Sequence, residues 1–125
     1  MRLLMILLGM IVAVGLNAQP KGHQTAILAA LNPALRKMSA VDLKLKALEI
    51  RIQGDWAFAV VEPTAVDGRA ADGVGIGLLQ RVKGKWLVRE AEIGSDGLTD
   101  SVKAWRKKHP RAPATVFKTK PGLVP

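Results

Sequence analysis

The sequence predicts an α+β fold: an N-terminal helix packed on a curved four-stranded antiparallel meander, with a short C-terminal helix. Three observations lead there. Residues 23–40 repeat apolar side chains at helical spacing. Residues 41–93 hold four alternating segments separated by turn residues. Residues 98–109 return to the helical period and stop at Pro110.

Ahead of these elements stands a different kind of segment. Arg2 precedes a 14-residue apolar run from Leu3 to Leu16, which Asn17-Ala18-Gln19-Pro20 breaks. A charged start, a short apolar core and a small residue before a polar break describe a secretory signal peptide. It is read over residues 1–18, with cleavage after Ala18 and Gly15 as a second candidate. Fourteen residues are too few to cross a bilayer, which takes about 20. The expected location is therefore periplasmic or secreted, with no transmembrane span in the mature chain. Residues 19–125 then form a single α+β domain, with a basic C-terminal helix and tail over about 98–125. The absence of cysteine excludes disulfides, thiol catalysis and thiolate metal sites. An exported domain without disulfides suits a bacterial periplasm.

The first helix is read from "HQTAILAALNPALRKMSA", residues 23–40. Ile27, Leu28, Leu31, Ala34, Leu35 and Met38 fall in one arc, with Thr25, Asn32 and Arg36 opposite. Pro33 sits on the outer side, so either the helix kinks there or Asn32 caps a second short helix.

In "VDLKLKALEIRIQG", Val41, Leu43 and Leu45 alternate with Asp42, Lys44 and Lys46, and then the apolar parity moves to Leu48, Ile50 and Ile52. A continuous strand cannot change faces, so a β-bulge is expected near Lys46-Ala47, or else a break between two strands. The second strand, in "GDWAFAVVEP", puts Trp56, Phe58 and Val60 on one face and Ala57, Ala59 and Val61 on the other. Residues 64–73 read as a loop with two Asp-Gly turns. Strands at 74–82 and from Lys85 follow, joined by a Lys-Gly hairpin. The helices are expected on one face of this sheet, which curls around the first. In the last helix Leu98, Val102, Trp105 and His109 share a stripe while Lys103, Lys107 and Lys108 point away. "RAPATVF" beyond it reads as an extended segment.

Gly73, Gly75 and Gly77 invite a nucleotide reading. A dinucleotide fingerprint needs G-x-G-x-x-G before a helix, and a phosphate loop needs a trailing Gly-Lys-Ser/Thr. Here the spacing is G-x-G-x-G, and Leu78-Leu79-Gln80 continues as strand. The glycines instead leave one strand face bare for a close neighbour, expected to be the ring of Trp56 or Trp86.

The catalytic inventory is thin. None of Ser39, Ser95 and Ser101 stands in a nucleophile elbow, and His23 and His109 lie on different helices. Glu90, Glu92, Asp96 and Asp100 could gather at one end of the sheet, but their spacing matches no calcium loop, so no metal and no cofactor are assigned. Asp55 and Glu90 are the two carboxylates that could serve as a pocket base. Arg51 with Glu49, and Arg89 with Glu90, could pair on a wet face or line a cleft beside Trp86.

Charge is the other signal. Of 19 Lys and Arg only Arg2 lies in the leader, so the mature chain carries 18 against 10 acids, a net +8. From Ser101 onward there are seven basic residues (Lys103, Arg106, Lys107, Lys108, Arg111, Lys118 and Lys120) and no acid. Such a segment is drawn to anionic partners. Nucleic acid is not favoured, because Trp105, the aromatic of the basic helix, lies on its buried stripe.

"ILAALNPALRK", "LEIRIQGDWAFAVVEP" and "GKWLVREAEIGSDGLTDSVKAWRKKHPRAPATVF" resemble a group of small exported proteobacterial proteins without an established function. The order of elements resembles the cystatin/NTF2-like roll, in which a curved sheet wraps one helix. That resemblance implies a fold and a compartment; the fold hosts binding, enzymatic and structural proteins alike.

The leading expectation is a small periplasmic binding or interaction module, not an enzyme. Trp56, Trp86, Arg89, Lys103, Lys107 and Lys108 would carry binding, on the concave sheet and the basic C-terminal face. The partner would be an anionic envelope polymer, such as lipopolysaccharide or peptidoglycan, or an acidic protein. One alternative is an NTF2-like hydrolase or isomerase with Asp55 or Glu90 as base between Trp56 and Trp86. Another is a structural domain that associates with itself.

Overall fold

The computed structural model describes residues 21–69 and 73–125, so the leader read over residues 1–18 lies outside them. Helix α1 (Lys21–Ser39) precedes four strands, β1 (Leu43–Gln53), β2 (Trp56–Ala65), β3 (Val74–Val82) and β4 (Lys85–Gly94). Helix α2 (Leu98–Lys108) and a 3-10 turn (Ala114–Phe117) follow. The strands form one antiparallel sheet in chain order, β1-β2-β3-β4. The α+β class and the meander are as the sequence predicts. Among the described residues no helix is long and apolar enough to cross a membrane.

The helices lie on opposite faces of the sheet, not on one. Ile27, Leu31 and Leu35 of α1 pack on Ala57, Ala59, Val61 and Leu79. On the other face Leu98 and Trp105 of α2, with Val116 and Phe117, cover Trp56, Phe58, Val60, Ile76 and Leu78. The reason is written in the central strands, which are apolar on both sides and so need two covers. With both faces covered, the sheet offers no open concave surface, and the expectation of one is corrected.

Helix α1 runs unbroken through Pro33. Its fully buried stripe is Ile27, Leu31 and Leu35, while Met38, counted in the same arc, stands 53% exposed beside the reversal at Ala40 (φ 61). Asn32, read as an outward residue, donates from Nδ2 to the Leu43 carbonyl at 2.8 Å and ties the helix to β1.

Each edge strand carries one irregularity. In β1 the register shifts between Ala47 and Glu49, which leaves Leu48 as the extra residue, one position from where parity placed the bulge. Leu43 and Leu45 before it, and Ile50 and Ile52 after it, then share the α1 face. In β4 Leu78 pairs with Glu90 and Leu79 with Val88, so Arg89 is the extra residue. Trp86 and Val88 before it, with Ala91 and Ile93 after it, keep to the α1 face. The sequence "WLVREAEI" carries this second parity change, with Trp86 and Val88 at even positions and Ala91 and Ile93 at odd ones.

The bare face of β3 meets leucines, not tryptophan. A Cβ on Gly75 would lie 2.8 Å from Leu35 Cδ1, and one on Gly77 would lie 2.5 Å from Leu31 Cδ1. Gly73 has φ +88, and a Cβ there would collide with the Gly94 carbonyl.

The "PATVF" stretch also departs from expectation. It winds into the 3-10 turn and buries Val116 and Phe117, because Phe58 and its neighbours need cover that α2 alone does not supply. Leu123 and Val124 pack on the same cluster, and the Thr99 N–H donates to the Pro125 carbonyl at 3.1 Å.

Polar side chains on the two sheet edges hold this C-terminal layer down. From β1, Arg51 Nε donates to the Thr115 carbonyl at 3.1 Å, and Glu49 accepts the Lys120 N–H at 2.9 Å. Thr115 Oγ1 also donates to Gln53 Oε1. From β4, Glu92 accepts from Ser101 Oγ at 2.8 Å. An apolar centre inside a polar rim is the anatomy of a docked interface, here made within one chain.

Candidate functional site

The candidate site is the outward side of α2 and the chain just beyond it. Leu98 and Trp105 turn α2 onto the sheet, which leaves Lys103, Arg106 and Lys107 in solvent. Arg106, Lys107 and Lys108 fill the last turn, where positive charge suits the helix dipole. His109 caps the helix, its backbone N–H donating to the Trp105 carbonyl at 2.8 Å. Pro110 then ends it.

Two hollows flank that end and share Pro110. The smaller, about 390 Å³, lies over Trp56 and Gln80 beneath Arg89, Lys108 and Arg111. Arg89 Nε donates to Gln80 Oε1 at 3.1 Å, which orients the guanidinium of the bulge residue. The His109 ring tilts against Trp56, with centroids 5.9 Å apart. At its margin Glu90 Oε2 meets His109 Nε2 at 2.7 Å and Lys108 Nζ at 3.0 Å. Burial pushes the Glu90 carboxyl up, but the hydrogen bonds from His109 and Lys108, and their charge, outweigh it and hold it below the usual carboxylate range. The larger hollow, about 570 Å³, lies between Lys103, Arg106 and Lys107 on one side and Ala112, Ala114 and Phe117 on the other.

Of the residues singled out from the sequence, Trp56, Arg89 and Lys108 share the first hollow, while Lys103 and Lys107 share the second. Trp86 is elsewhere. It is buried on the α1 face, its indole N–H donating to His23 Nδ1 at 3.3 Å and its ring 5.5 Å below the Arg81 guanidinium. Even-numbered Trp56 and Trp86 point to opposite faces because their pairing partners, Gln80 and Arg81, are neighbours on β3. A pocket walled by both tryptophans therefore does not form. Asp55 stands in the β1–β2 turn, two-thirds exposed, and pairs with Arg81 at 3.4 Å. Glu90, Glu92, Asp96 and Asp100 do not assemble either. Among the described residues no three His, Cys, Asp or Glu side chains are placed to hold a metal ion.

His109, Gln80, Arg106 and Arg111 were not among those candidates. The run of basic residues after Ser101 already contained Arg106 and Arg111. His109 was read only as the end of an apolar stripe, and its position next to a helix-stopping proline was the available clue. Gln80 carries no signal of its own, because only the pairing of β3 with β2 puts it opposite Trp56.

Compared with family models, with curated proteins and with solved structures, the chain matches none.

Proposed function

We propose that this chain is a small binding module of the bacterial envelope, exported by the segment 1–18, whose α2 face takes an anionic partner. One observation carries the reading. Arg89, Lys103, Arg106, Lys107, Lys108 and Arg111 line two hollows that meet at Pro110, and the acid at their margin, Glu90, is already engaged by His109 and Lys108. Positive charge concentrated on one surface attracts polyanions and speeds their encounter. An envelope polymer such as lipopolysaccharide or peptidoglycan, or an acidic protein, fits that chemistry. The helix-then-meander order and the bulged edge strands support the cystatin/NTF2-like likeness, while the second cover supplied by α2 departs from a roll that wraps one helix.

The hydrolase alternative gains no support from its candidate acids. Its base needs a carboxyl raised toward neutrality, whereas Glu90 is lowered and Asp55 faces water.

The test is binding of lipopolysaccharide and of peptidoglycan fragments to the protein and to a K103E/K107E variant across a salt series. Both lysines are exposed, so folding should be unaffected. At low salt the variant should bind at least about tenfold more weakly, with a flatter salt dependence. Equal binding by both proteins would reject the basic face as the site.

A further inference from the structure

Resting on the reading that the α2 face takes an anionic partner, we infer that this partner is a phospholipid with an anionic headgroup, met at a bilayer surface.

The observation is the pairing of charge with an apolar floor. The larger hollow beside α2 sets Lys103, Arg106 and Lys107 around Ala112, Ala114 and Phe117. At Phe117 it meets a further hollow of about 450 Å³, where Lys118 and Lys120 stand by Val102 and Val124. The two together make a furrow between α2 and the C-terminal segment, with cations on both banks. No acidic side chain occurs from Ser101 to Pro125, so the side-chain charge that this segment brings to those banks is all positive.

A hydrophilic polyanion would use the cations and leave the floor idle. A free metabolite anion would need a closed, donor-lined pocket, and this furrow is open along its length. An anionic lipid uses both chemistries. Its phosphate meets the ammonium groups while the glycerol and first methylenes cover Ala114, Phe117 and Val124. Lysine stems suit that boundary, because their methylenes lie on apolar surface while the charged ends reach out. Basic residues beside apolar ones at a surface are the pattern of interfacial binding, and each basic group near an anionic membrane adds attraction.

The experiment is co-sedimentation of the purified protein with vesicles of phosphatidylcholine alone or mixed with phosphatidylglycerol. Inorganic polyphosphate, measured separately, supplies phosphate charge without an acyl chain. Two variants separate the terms: K103E/K107E for charge, and A114N/V124S for the floor, at positions that are exposed or half-exposed. The expected result is binding to the phosphatidylglycerol vesicles and not to phosphatidylcholine alone. K103E/K107E should weaken vesicle binding at least about tenfold. A114N/V124S should weaken it about tenfold and leave polyphosphate binding unchanged. Binding to polyphosphate but not to vesicles, or vesicle binding indifferent to A114N/V124S, would overturn the lipid assignment and leave the anionic-partner reading standing. Binding to neither probe, together with no binding of lipopolysaccharide or peptidoglycan, would remove both.

Discussion

His109 Nε2 lies 2.7 Å from Glu90 Oε2, and that contact seats the end of α2 on the edge strand β4. Both side chains are mostly buried, at 18% and 15% exposure, so the carboxylate has little water to fall back on if the partner is lost. Glu90→Gln should cost about 1–3 kcal/mol of stability near neutral pH, measured by urea denaturation. The pH dependence follows from the lowered Glu90 carboxyl. A depressed carboxyl contributes stability in full above its unfolded value, about 4.3, and loses it as pH falls through the lower folded value. The gap between wild type and Glu90→Gln should therefore close in acid. A gap unchanged down to low pH would mean that the ionised carboxylate is not what stabilises this contact.

Gly77 and Leu31 occupy one space between β3 and α1. Gly77→Ala places a methyl 2.5 Å from Leu31 Cδ1, so the leucine must move or the helix must lift. Overpacking of this kind costs about 1–3 kcal/mol. In a Leu31→Ala background the same glycine change should cost much less, since the obstructing atoms are gone. The double-mutant cycle reads that coupling directly. Additive effects would show that Gly77 is required for its backbone and not for the room it leaves.

Leu48 is the residue that β1 inserts to keep its apolar set on one side. It is 36% exposed, so Leu48→Lys should change stability by no more than about 0.5 kcal/mol. Deleting Leu48 should also be tolerated, at a cost of no more than about 1 kcal/mol. Without it the pairs Ala47–Val61 and Glu49–Val60 become consecutive, and Leu43, Leu45, Ile50 and Ile52 fall on one face of a regular strand. A loss of several kcal/mol on urea denaturation would mean that the bend and twist of the bulge, and not the face alone, seat β1 on the core.

Phe117 closes the second core from the C-terminal side, with its ring 5.4 Å from that of Phe58, which also meets Trp105 at 6.3 Å. Phe117→Ala should cost about 3–5 kcal/mol and increase binding of a hydrophobic dye. If the loss is well under 1 kcal/mol, the tail covers Phe58 without stabilising the sheet.

Much of the fold was legible because its elements are strongly periodic. The arc from Ile27 to Leu35 marked α1, and the even–odd change between Leu45 and Ile50 revealed a bulge within one residue of its place. "WAFAVV" already held the second face of the sheet, since a strand apolar on both sides needs two covers. That implication was missed because four of its six residues are Ala or Val, too small to suggest a second layer. The candidate site was half legible. Lys103, Lys107, Lys108, Arg89 and Trp56 were named from charge and aromaticity, but Trp86 was grouped with them because one-dimensional distance says nothing of which face a side chain takes.

Local pattern by itself determined the helices, the strands, the turn at Lys83-Gly84 and the basic character of the last third of the chain. Periodicity and charge are properties of neighbouring residues, and they survive without any knowledge of contacts. Only tertiary structure decided that Leu31 and Leu35 would fill the space over the glycines. It alone brought Glu90 to His109, and turned "PATVF" into a lid over Phe58. Those outcomes depend on which surfaces meet across the sheet, and meeting is settled by the packing of the whole core.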